Sequence, residues 1–248
     1  MSDWKKVFAI IFTGHLFSTL SSFVVGYAVI FWLSIKTGSA EVLAFATIAS
    51  LLPHMVLGLF TGVYVDRWNR KRTMIMADLF IALCTLVIAI LFYKSEVRIS
   101  YIYILLAMRS AGMAFHVPAM QASVPLLAPE EKLMRIAGIN NMIQSVSTIA
   151  SPALAALLIS LFDMTWILMI DVAGALIAVV SLLLVHIPDP VRKSDNEPHV
   201  IRELLVGLRE IYCKPGLRWI FILAVATTFF IMPIAAMFPL MTLQHFSG

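Results

Sequence analysis

Charge is scarce in this sequence. Asp, Glu, Lys and Arg make up 13% of the 248 residues and hydrophobic residues 61%, whereas an ordinary soluble domain is about a quarter charged and half apolar. A water-facing surface cannot be built from that mixture. Cysteine is nearly absent as well: Cys84 lies in an apolar stretch and Cys213 in a polar one, so no disulfide is predicted and both read as free thiols. The six histidines are scattered, and no Cys or His cluster has ligand spacing, which argues against a metal site. No glycine-rich loop is followed by Lys and Ser or Thr. Nucleotide hydrolysis is therefore not expected, and neither is a cofactor or an enzymatic domain.

What the chain does have is length in its apolar runs. Six can be drawn, roughly Val7–Ile35, Val42–Val65, Met74–Phe92, Tyr101–Leu127, Ile136–Phe162 and Trp166–Val185. Each is long enough for a helix to cross about 30 Å of hydrocarbon. A seventh run begins near Leu217. Runs of this length without two-residue alternation must satisfy their backbone hydrogen bonds internally, so helices are predicted. The first run is too long for the core of a signal peptide.

The 18 Lys and Arg residues set the orientation. With the amino terminus in the cytoplasm, only Lys36, Lys94 and Arg98 fall outside and Arg109 falls within a span. The others gather in the inner turns, as the positive-inside rule requires. The net charge of +4 is thus topological and gives no support to nucleic acid as a partner.

Composition changes after the sixth run, where Ile187–Pro198 carries three prolines and several charges. This reads as an exposed connector. Beyond it, Ile201, Leu204, Leu205, Leu208 and Ile211 recur at helical spacing between charged residues, predicting an amphipathic helix on the cytoplasmic surface. The expected organisation is a six-helix bundle over residues 1–187, a cytoplasmic linker over 188–216, and a seventh membrane helix over 217–248 that opens a truncated second bundle. The missing C-terminal bundle is then an expected partner, beside the lipid bilayer.

The turn after the second run reads Gly62-Val-Tyr-Val-Asp66-Arg67-Trp-Asn69-Arg70-Lys71-Arg72. It resembles the cytoplasmic signature of the major facilitator superfamily. Gly62, Asp66, Arg67, Arg70 and Lys71 match residue by residue, and Asn69 stands where the family usually has glycine. Gly58 and Gly62, four apart, are expected to let the second helix approach a neighbour closely. Asp66 and the basic residues would then gate the cytoplasmic side, with Asp78 as an internal partner for the basic cluster. In the fifth run, Ser147-x-x-x-Ser151-Pro152-x-x-Ala155-Ala156 resembles the superfamily's antiporter motif, with serine and alanine replacing glycines. Pro152 is expected to shape a bending face; ordinary small-residue packing would use the same letters.

Arg109 is the most costly residue of the chain, since a charge at helix depth needs a cavity or a partner. It resembles the fourth-helix arginine that the superfamily associates with proton coupling, with Asp171 or His116 as its expected counterpart. His54, His116 and Asp171 are further candidates for carrying protons or contacting substrate, and His15 is a weaker one. Each histidine could equally serve an interhelical hydrogen bond. Two polar faces, His15, Ser18, Ser22 and Gly26 in the first run and Asn140, Gln144, Ser147 and Ser151 in the fifth, are expected to border an aqueous cavity.

Four further stretches, Lys36–Ala40, Gly112–Ala119, Pro125–Glu131 and Asp171–Ala175, together with Pro233–Leu240, are similar to the macrolide-efflux branch of the superfamily. That resemblance implies an all-α fold of about twelve helices in two bundles, placed in the bacterial cytoplasmic membrane. It also implies export of a bulky hydrophobic small molecule in exchange for protons. A siderophore or another endogenous metabolite would leave by the same route, and a non-transporting half is the rival of another class.

Overall fold

The structure, a computed structural model, describes residues 3–65, 68–127, 129–187, 209–210, 212–227 and 230–231. Six long helices follow one another: α1 (Asp3–Thr37), α2 (Ala40–Val65), α3 (Arg70–Tyr93), α4 (Ile99–Leu127), α5 (Leu133–Leu161) and α6 (Met164–Leu183). A single 3-10 turn, Glu130–Lys132, leads into α5, and no strand occurs among the described residues. All six helices are long and apolar enough to cross a bilayer. A shorter apolar helix, Pro215–Thr227, marks the start of the expected seventh span. The predicted amphipathic helix and most of the connector lie outside the described residues, as do Asp66 and Arg67.

The turns between helices are short because their local chemistry is decisive. Gly38 adopts a φ of +58° between α1 and α2, a conformation that a side chain would strain. Asn69, in the position where the signature usually has glycine, caps α3 instead: its φ is −66° and its side-chain oxygen accepts the Arg72 N–H at 2.8 Å. At the same end of the bundle Lys71 Nζ donates to the carbonyls of Val185 at 2.6 Å and Leu183 at 3.4 Å. A cation thus meets the free carbonyls closing α6.

Helix α1 is central, packing on α6 and α5, while α3 packs on α4 and α6, and α2 rests on α4. Peripheral and central helices differ sharply: 11% of the most apolar stretch of α2 is buried, against 50% in α4 and in α6. The outer surface is correspondingly greasy, with Phe45, Met55, Leu59, Ile149 and Leu183 all exposed. In water such a surface would aggregate; in a bilayer it is matched to its solvent.

Close helix approach occurs between α1 and α6. A Cβ on Gly14 would collide with the Ser181 hydroxyl, and one on Gly174 with the Ser21 hydroxyl. Small residues here let two backbones meet where larger ones would hold them apart. Gly58 and Gly62 behave otherwise, because α2 turns both outward with nothing within 4 Å. The close approach expected of them is not made among the described residues.

Candidate functional site

Two apolar clusters divide the interior of the bundle. One is built on Val25, Val29, Leu33, Ile88, Ile102 and Ile167, the other on Ile11, Phe12, Met74, Met120, Ile143 and Leu182. Between them, α1, α3, α4 and α6 all place polar side chains inward, which apolar surroundings tolerate only when the groups satisfy one another.

The first polar layer is centred on Asp171, which is 1% exposed. Arg109, itself 9% exposed, reaches from α4 so that its Nη1 lies 2.7 Å from Asp171 Oδ2. Thr85 Oγ1, from α3, donates to the same oxygen at 2.8 Å and also accepts from Arg109. On the other side, Ser22 of α1 donates to Asp171 Oδ1 at 2.6 Å. Ser21 Oγ is 3.3 Å from that oxygen and 3.0 Å from the Ser18 carbonyl. Four helices therefore converge on one carboxylate, each oxygen of which has a close donor. Truncating one partner of such a pair strands the other charge at a cost of roughly 3–5 kcal/mol.

The second layer contains Asp78 of α3, His116 of α4 and His15 of α1, all buried. His116 Nδ1 lies 3.0 Å from Asp78 Oδ1. The His15 and His116 rings stack nearly parallel, with centroids 5.8 Å apart and planes inclined by 12°. Thr19 Oγ1 sits 3.4 Å from His15 Nδ1. Asp78 Oδ2, in contrast to either oxygen of Asp171, has no hydrogen-bond partner. A small pocket adjoins these groups, walled by Ile11, Met74, Met120 and Leu182.

The remaining sequence-predicted residues separate from these layers. Asp171 meets Arg109 and Asp78 meets His116, while Arg67 of the basic turn lies outside the described residues. His54 contributes through its backbone: following Pro53, which has no N–H, its own N–H donates to Ser110 Oγ on α4 at 3.0 Å. Arg70 and Lys71 stand at the start of α3, with Gly62 on the exposed end of α2. Ser147 and Ser151 are fully buried on α5, which packs on α1, and their hydroxyls have no hydrogen-bond partner. The two faces expected to border a cavity thus include residues closed into helix packing. Helix α5 continues without interruption through Pro152.

Sequence reading missed Thr85 and Ser21 altogether, since a lone hydroxyl in an apolar run carries no signal of its own. A spacing signal did exist. His15 and Ser22, Asp78 and Thr85, and Arg109 and His116 are each seven residues apart. That is two helical turns, or about 10 Å of rise.

Comparisons with known proteins agree with this architecture. The profile of the Major Facilitator Superfamily matches residues 11–248. Macrolide efflux protein A of Streptococcus pyogenes is 41% identical over 250 aligned residues, which take in 100% of this chain and 61% of that protein. Macrolide efflux protein A of Enterococcus faecalis is 42% identical over 214 residues, covering 85% of this chain and 65% of that protein. The chain thus spans about three fifths of the length of the curated relatives it matches. Among solved structures, a bacterial homolog of the human lysosomal transporter Spinster superposes with a TM-score of 0.60 at 13% identity. That match covers 87% of this chain and 50% of the other, and it speaks to the fold. With six membrane-length helices around a buried polar interior and a family match over nearly its whole length, this chain belongs to the Major Facilitator Superfamily.

Proposed function

We propose that this chain forms the first bundle of a secondary active exporter in the bacterial cytoplasmic membrane, moving macrolide-like or other bulky hydrophobic drugs outward in exchange for protons. The observation that carries the reading is the 41% identity to macrolide efflux protein A, sustained along the whole chain. The amino terminus lies in the cytoplasm, so the Lys71 contact with the end of α6 is on the inner side. There Gly62, Asp66, Arg67, Arg70 and Lys71 act as the gating turn. Ser147, Ser151 and Pro152 form the part of α5 that bends between states.

Arg109 and Asp171 make a charged centre that responds to substrate, while His116, two turns along α4 from Arg109, and His54 are the candidates for the proton. A buried ion pair shared by four helices suits alternating access, because opening the bundle must exchange its partners for others or for water. A second six-helix bundle completes the translocation path, and the drug and the proton are the partners that cross it.

The test is accumulation of a radiolabelled macrolide in a drug-sensitive bacterium expressing the transporter, with and without a protonophore. Lower accumulation that rises when the proton gradient collapses is expected. Equal accumulation in cells with and without the protein eliminates drug export.

A further inference from the structure

We infer that Asp78, His116 and His15 together form a proton-binding site that takes up one proton as a unit, two helical turns from the Arg109–Asp171 pair. The inference deepens the proton-exchange reading and rests on it only for the consequence in transport; the binding itself follows from the geometry.

Charge decides the matter. With both imidazoles neutral, Asp78 leaves a net charge of −1 in a pocket lined by Ile11, Met74, Met120 and Leu182 with the Ser181 hydroxyl, and its Oδ2 lacks any hydrogen-bond partner. A bare carboxylate in such surroundings is costly. One proton on His116, whose Nδ1 lies 3.0 Å from Asp78 Oδ1, makes the cluster neutral. A second would put two imidazolium rings face to face at 5.8 Å, and their repulsion opposes it. Coupled groups of this kind titrate as a pair rather than as single residues. Asp171 stands in the opposite situation. Its charge is already balanced by Arg109, and hydroxyls from α1 and α3 hold it, so protonating it would strand a guanidinium.

The charged groups around the site leave this balance intact. On α6 the nearest is Asp171 and on α4 Arg109, both about 10 Å along the helix and neutralising each other. Helix α5 contributes Asn140, which does not titrate and whose buried Oδ1 has no partner. Helix α2 contributes His54, whose backbone N–H meets Ser110 of α4. At the start of α3, Arg70 lies more than two turns from Asp78 and Lys71 two turns away, with its ammonium held on the α6 carbonyls.

The proton comes from water and returns to water. Only an N–H or O–H bond forms on uptake and only that bond breaks on release, so no further reactant is needed. Alternation of the bundle supplies the two faces at which these events occur.

The test is a pH titration of the protein in lipid nanodiscs with 15N-labelled histidine rings, read by NMR without drug. His15 and His116 signals are assigned from the His15→Gln and His116→Gln variants. In the wild type His116, which faces Asp78, is expected to protonate first as the pH falls and His15 only after it, because one proton already neutralises the cluster. Asp78→Asn should lower the His116 midpoint, because the carboxylate that favours the imidazolium is gone. His116→Gln should raise the His15 midpoint, because a like-charged neighbour is gone. Independent titration of both rings at ordinary histidine values overturns the proposal. A His15 midpoint unmoved in His116→Gln also overturns it, even if Asp78→Asn fails to fold. Because no transport is measured, failed drug export with an intact coupled titration counts against the exporter reading alone, whereas the reverse result counts against this site alone.

Discussion

The two buried layers use the same four helices and answer burial in opposite ways. Around Asp171 a guanidinium and hydroxyls from α1 and α3 complete both carboxylate oxygens, so the charge is compensated inside the protein. Around Asp78 one oxygen faces an imidazole and the other has no partner, so compensation waits for a proton. The difference lies in the partner's chemistry. Arginine keeps its charge at every accessible pH and fixes the state of its counterpart, while histidine can gain or lose a charge near neutrality.

The sharpest way to break this contrast is to remove one member of the compensated layer. Asp171→Leu should strand Arg109 and cost roughly 3–5 kcal/mol, read as a lowered unfolding transition in detergent and as lost export. Adding Arg109→Met should recover most of that stability without restoring export. If the double variant is as unstable as the single one, the layer is not held by charge compensation.

The next effect concerns the approach of α1 to α6 that brings both layers together. Gly14→Ala drives a methyl into Ser181 and should cost about 1–3 kcal/mol, whereas Gly58→Ala, facing open space, should show no such loss in the same melting experiment. Equal behaviour of the two would deny the close contact. Lys71→Met should be milder, at about 0.5–1.5 kcal/mol, through loss of its bonds to the α6 carbonyls. Asp78→Asn should change stability least, within about 1 kcal/mol, because it deletes a charge that lacks a full set of partners. Its effect belongs to the pH profile of export, which should flatten; an unchanged profile would return proton coupling to the Arg109 layer.

Particular residues show what could be read before the fold was known. Arg109 and Asp171 announced themselves, because a charge within an apolar run demands a partner. The helices were legible for the same reason, with bounds that shifted by only a few residues, as for the first run, predicted at Val7–Ile35 and found over Asp3–Thr37. Thr85 and Ser21 were not legible, since a hydroxyl at helix depth can satisfy itself on its own backbone, as Thr47 does on the Leu43 carbonyl. Asp78 was visible, but its meeting with His116 was not. Its nearness in sequence to Arg70–Arg72 suggested the basic turn, whereas the facing helix supplies His116.

Six crossings and the crowding of basic residues into alternate turns were determined by the sequence alone, because transfer into hydrocarbon and the cost of moving cations across it act on each segment separately. Which buried groups meet was decided only by tertiary structure. Ser22, Thr85, Arg109 and Asp171 come from four helices far apart along the chain, and their meeting depends on helix rotation and on the glycine contacts that let α1 and α6 close together. Hydrophobicity sets how deep a residue lies, but it does not say which neighbour it faces.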